Sequence, residues 1–104
     1  MSNHIPLTAD AVVLLGLIAS AQESVAAYRD EVAGYERELA AMESGEKPLV
    51  WTAYRQALHA MTEAASSLQG HLRRLSDLRH ELQGQLLHGY TRHIEELREM
   101  LEAA

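Results

Sequence analysis

The residues best equipped for chemistry in this 104-residue chain are six histidines, fifteen carboxylates and nine Lys or Arg side chains, with no cysteine at all. Without a thiol there is no disulfide framework, no thiolate nucleophile and no thiolate metal site. His59 and Glu63 stand four residues apart, while Asp77 with His80 and His93 with Glu96 stand three apart. Each spacing sets two ligating groups on one face of a helix. A di-metal helical bundle needs more: carboxylates from two helices and two Glu-x-x-His pairs, all directed inward. Here the pairs lie mostly beside a leucine stripe, and the first helix carries no histidine. Solvated surface histidines are the expectation, with no metal and no cofactor. No glycine-rich phosphate loop, Ser-His-Asp set or paired-carboxylate pocket can be assembled. No catalytic residue is therefore assigned, and a non-enzymatic protein is expected.

The segment HLRRLSDLRH offers the alternative. Arg74 and His80, with five residues between them, resemble the Arg-x4–6-His motif of small helical nucleases of the HEPN type. That resemblance implies RNA cleavage by an Arg–His pair at a dimer interface. The plainer reading of Arg73, Arg74 and Arg79 is a solvated basic strip or a partner for an acidic helix. The net charge of −6 argues against binding a phosphate backbone, which needs concentrated Lys and Arg.

The elements that would carry these residues are long helices. Apolar residues make up 47% of the chain but aromatics only 5%, and just two prolines interrupt it. That balance is typical of coiled coils. Thr8 is placed to cap a first helix, with Asp10 in its first turn and Leu7 and Val12 as a hydrophobic staple. Gly45 suits a helix C-terminus and Pro48 suits the start of a second helix. The expected elements are helix 1 over about 8–44, a turn at 45–47, helix 2 over about 48–83, and a C-terminal helical segment over about 86–102. Gly84 and Gly89 predict a kink there, or a third helix after Gly84; an unbroken helix is the alternative.

Along helix 1, Leu7, Ala11, Leu14, Ile18, Ala21, Val25, Tyr28, Val32, Tyr35, Leu39 and Met42 follow at alternating steps of four and three. A period of 3.5 imposes left-handed supercoiling on the pair that buries it. Helix 2 repeats the scheme through Val50, Tyr54, Leu58, Met61, Ala65, Leu68, Leu72 and Leu75. Arg79 interrupts it, Leu82 and Leu86 resume it, and Tyr90, Ile94, Leu97 and Leu101 drift around the helix. The short turn makes the two helices antiparallel neighbours. The tyrosines are expected to pack their rings and free their hydroxyls, and Trp51 is expected to cap the end of the pair.

The predicted fold class is all-α: a long antiparallel helical hairpin, completed as a four-helix bundle by dimerisation. Val12, Val13, Leu14, Leu15, Leu17 and Ile18 project in all directions, and a helix apolar all round must be enclosed on several sides. The expected interface comprises Val12, Val13, Leu15, Leu17, Leu86, Leu87, Tyr90, Ile94, Leu97 and Leu101. The partners expected are further copies of the chain and another protein, with no nucleic acid and no membrane. The apolar run at residues 11–19 is shorter than the roughly 20 residues of a membrane span, so a soluble, cytoplasmic protein is expected. A scaffold, an assembly chaperone or adaptor, or a small inhibitor all fit. The mid-chain turn and nearby tryptophan also resemble, in architecture, the hairpin cargo of type VII secretion. Trp51-Thr52-Ala53 lacks that family's turn glycine, however, and Tyr90 is followed four residues on by Ile94 rather than an acid.

Overall fold

The computed structural model describes residues 7–103. They form two helices, α1 over Ala9–Glu43 and α2 over Trp51–Ala103, and no strand. The chain divides into two compact units. Residues 21–74 make one, which contains the turn; the described residues 7–20 and 75–103 make the other.

The start of α1 follows its capping signal. Thr8 Oγ1 accepts a hydrogen bond from the Ala11 N–H at 3.1 Å, and its carbonyl accepts from the Val12 N–H at 3.1 Å. One of the four orphan N–H groups of a helix start is thereby satisfied by a side chain. Leu7 and Val12, the expected staple, are each more than half exposed.

At the other end Gly45 takes φ +84°, the left-handed conformation that costs other residues about 1–2 kcal/mol. This reversal sends the Lys47 N–H back to the Ala41 carbonyl at 3.0 Å, where the Ser44 hydroxyl also donates at 3.2 Å. Because Lys47 still belongs to the cap of α1, the chain needs further residues to reach its neighbour. Pro48 therefore lies in an irregular link, not in the first turn of α2, and the second helix begins three residues later than expected. Its first bond runs from the Tyr54 N–H to the Val50 carbonyl at 2.9 Å. The break foreseen near Gly84 and Gly89 does not occur, because α2 runs unbroken for 53 residues. Two glycines cost about 1 kcal/mol each, and no proline between them removes a backbone donor.

The α1 seam is buried as its spacing requires. In residues 21–74, Ala21, Val25, Leu39 and Met42 are buried, and Tyr28, Val32 and Tyr35 are half-buried. Leu39 and Met42 pack with Ala57, flanked by Tyr54 and Met61. In the other unit Ala11, Leu14, Ile18 and Leu75 are buried.

The α2 seam departs from the expectation at every second position. Its covered residues are Tyr54, Ala57, Met61, Ala64, Leu68, His71, Leu75, Leu78, Leu82 and Gln85, again at alternating steps of three and four. Tyr54, Met61, Leu68, Leu75 and Leu82 are shared with the predicted seam. Between them the inner residues are Ala57, Ala64, His71 and Leu78; Leu58, Ala65, Leu72 and Arg79 are exposed. The interruption at Arg79 disappears once Leu78 is the seam residue. Ala64 shares a hollow with Tyr28 and Tyr35, so bulk on α1 is met by a small residue on α2.

Candidate interaction surfaces

Among its described residues, the unit formed by the two chain ends buries four apolar residues and exposes eleven large ones: Leu7, Val12, Val13, Leu15, Leu17, Leu87, Tyr90, Ile94, Leu97, Met100 and Leu101. On α1, Val12, Val13, Leu15 and Leu17 are 37–61% exposed while Ala11, Leu14 and Ile18 between them are buried. One face of this apolar segment is therefore covered and the rest is bare. On α2, Leu87, Tyr90, Ile94, Leu97 and Leu101 are 37–79% exposed, and Leu86 is half-buried. All ten residues singled out from the sequence thus retain accessible surface, and all but the half-buried Leu86 are exposed. Met100, 68% exposed, joins them. It was missed because it lies one position off the drifting stripe.

The first turn of α1 stands beside Gly89, Arg92, His93 and Glu96, where Leu7 and Thr8 close a hollow of about 170 Å³. The half-buried residues on this side of α2 are Leu82, Gln85, Gly89 and His93, a polar ending to the seam. Arg92 Nε meets Glu96 Oε1 at 3.4 Å, an i, i+4 pair on the surface of α2. Arg98 and Glu102 form no such pair. Among the described residues no ion pair joins α1 to α2, so the charge complementarity expected between the helices is not realised as contacts.

In residues 21–74 the chemistry-bearing groups are arranged around the seam. The Tyr28 and His71 rings stack with centroids 5.2 Å apart and planes 19° from parallel. His71 is thus a packing residue, contrary to the expectation that the histidines are solvated; the off-by-one seam concealed it. Tyr28, Tyr35, Glu31, Glu63, Ala60 and Ser67 line an open hollow of about 230 Å³. His59 Nε2 lies 3.2 Å from Glu63 Oε1 on the surface. Among the described residues no three of His, Asp and Glu gather as a metal site would need.

Trp51 does not cap the pair. It is 73% exposed and, with Leu49 and Val50, makes an apolar cluster beside the turn. With Glu43 and Tyr54, Leu49 and Trp51 line a hollow of about 430 Å³. There the Tyr54 hydroxyl donates to Glu43 Oε1 at 3.4 Å. Trp51 falls just after the irregular link, where the helix has barely begun and no opposing turn of α1 remains to cover the ring.

Arg74 and His80 are both exposed on α2. Six residues apart on one helix, their side chains diverge by about 120° at 100° per residue. They do not converge on one substrate atom within a single chain. α1 is also long and apolar enough to cross a membrane by length and composition, with an 18-residue window of mean hydropathy 1.5. A core helix has the same character, and 28% of that window is buried here. No family model, curated protein or solved structure matches the chain.

Proposed function

We propose that the chain is a non-enzymatic protein-interaction module that self-associates through the unit formed by its two ends. The observation that carries this reading is that, among the described residues of that unit, eleven large apolar side chains are exposed and only three, Leu14, Ile18 and Leu75, are buried. Fully burying one such side chain contributes about 1.5–3 kcal/mol, so covering even four offsets a substantial part of the cost of association. A scaffold subunit, an adaptor or assembly chaperone, or a small inhibitor built on a helical hairpin fits this arrangement, in a cytoplasmic setting.

A second protein has its own place to bind. Beside the turn Trp51, a residue type enriched in binding hot spots, stands exposed next to the apolar Leu49 and Val50. The self-association and the tip are separable by substitution.

Folding linked to association makes the thermal midpoint depend on protein concentration. The expected result is a midpoint that rises steadily over a hundredfold range of concentration, followed by far-ultraviolet circular dichroism. A midpoint independent of concentration, together with a monomeric mass, would remove the proposal. Turnover of single-stranded RNA, lost in His80→Ala, would replace it with the nuclease.

A further inference from the structure

The hollow of about 430 Å³ beside the turn brings together Glu43 from the last turn of α1, Leu49 from the link, and Trp51 and Tyr54 from the first turn of α2. Two aromatic rings, one aliphatic side chain and one carboxylate thus line a single open space. An aromatic face attracts a cation through its quadrupole, and tryptophan does so most strongly. A carboxylate beside the rings adds a full charge with the same preference.

The electrostatics of Glu43 decide the sign of the occupant. It closes α1, where the helix dipole is negative, and the last turn of α1 holds no basic residue. Among the described residues the ion pairs are His59–Glu63 and Arg92–Glu96, so no Lys or Arg neutralises Glu43. The Tyr54 hydroxyl donates to it at 3.4 Å, long for a charged acceptor, which prefers about 2.5–2.7 Å. The carboxylate therefore keeps lone pairs for a stronger donor. Arg55, one residue beyond Tyr54, lines a different hollow with Thr52, Gln56 and His59. Glu46 and Lys47 of the turn cancel in formal charge. The start of α2 would favour an anion, but its end charge is only about +0.5. Glu43 and the end of α1 together amount to about −1.5.

The apolar wall then narrows the kind of cation. A bare metal ion would leave Leu49 and both rings unused. An arginine side chain meets each feature: its hydrocarbon stem covers Leu49, and its planar guanidinium stacks on a ring and reaches a carboxylate with two donors. We infer that this hollow receives an arginine side chain of the second protein proposed above to bind at the tip. The inference rests on that reading of the tip and is independent of self-association.

Trp51 is the one tryptophan of the chain, so its fluorescence reports on this hollow. The full chain is titrated at constant ionic strength with four probes: the N-acetyl methylamides of arginine, of its neutral isostere citrulline, of norleucine and of glutamate. The arginine probe should change the emission saturably at about millimolar concentration, as suits a single side chain. The citrulline probe should bind about tenfold more weakly. Glu43→Gln should erase that preference, whereas Tyr54→Phe, which keeps the ring, should retain it. Glu43 is exposed, so its substitution leaves the fold intact, and the comparison of arginine with citrulline needs no substitution at all. Equal responses to arginine, citrulline and norleucine would leave the tip a binding place and overturn the cation. A preference for the glutamate probe, or an arginine preference that survives in Glu43→Gln, would overturn it as well. No saturable response to any probe would overturn the reading of the tip itself.

Discussion

Ala64 and Ala65 are neighbours of the same type, and placing glutamate at one or the other isolates the register of α2. Ala64 is 6% exposed and lies against the hollow of Tyr28 and Tyr35; Ala65 is exposed. Glutamate at 64 forces extra bulk into the seam, about 1–3 kcal/mol, and pulls a charge toward apolar rings for a similar further penalty. About 3 kcal/mol in total is the expected loss, after allowing the long side chain to bend toward water. For a domain of this size that lowers the thermal midpoint by roughly 12–24 °C. Glutamate at 65 changes only exposed surface and a small helix preference, within about 0.5 kcal/mol. Circular dichroism melts of both variants at two protein concentrations make the comparison. If Ala65→Glu were the more damaging, the seam would run through Leu58, Ala65 and Leu72, and the packing described here would be wrong.

Other substitutions address the remaining contacts. Gly45→Ala forces a Cβ into left-handed backbone at φ +84° and should cost about 1–2 kcal/mol in urea unfolding, although open space surrounds the site. Thr8→Ala removes the hydroxyl that accepts from Ala11 and should cost about 1 kcal/mol, with Thr8→Ser restoring most of it. A double-mutant cycle of Tyr28→Ala and His71→Ala should return a coupling of about 0.5–1.5 kcal/mol for the stacked rings, and additive losses would argue that the stack contributes nothing.

The parts of this fold legible in the sequence are those written in a single helix. The α1 seam from Ala11 to Met42 follows from spacing alone, because its inner positions are also its largest or most regular apolar ones. Thr8 and Gly45 announce the helix ends through side-chain and backbone chemistry that needs no partner. On α2 the same logic slips by one residue at alternate positions. Leu58 and Leu72 are more hydrophobic than Ala57 and His71, yet the small residue and the ring are inside. Which of two adjacent residues faces inward depends on what α1 presents opposite, and Tyr28 with Tyr35 favours a small neighbour at Ala64. Trp51 likewise needed knowledge of where α2 begins, and the cap through Lys47 delays that start by three residues. The interface candidates were legible as excess: too many apolar side chains around Val12–Ile18 and Leu86–Leu101 for one neighbour to cover.

Sedimentation equilibrium of the full chain, run over a wide concentration range at physiological salt, addresses that excess directly. The account predicts a mass at least twice 11.6 kDa that falls toward the single-chain value only on strong dilution. A mass of 11.6 kDa at every concentration would mean that the chain tolerates its bare leucines and valines in water, and self-association would have to be abandoned.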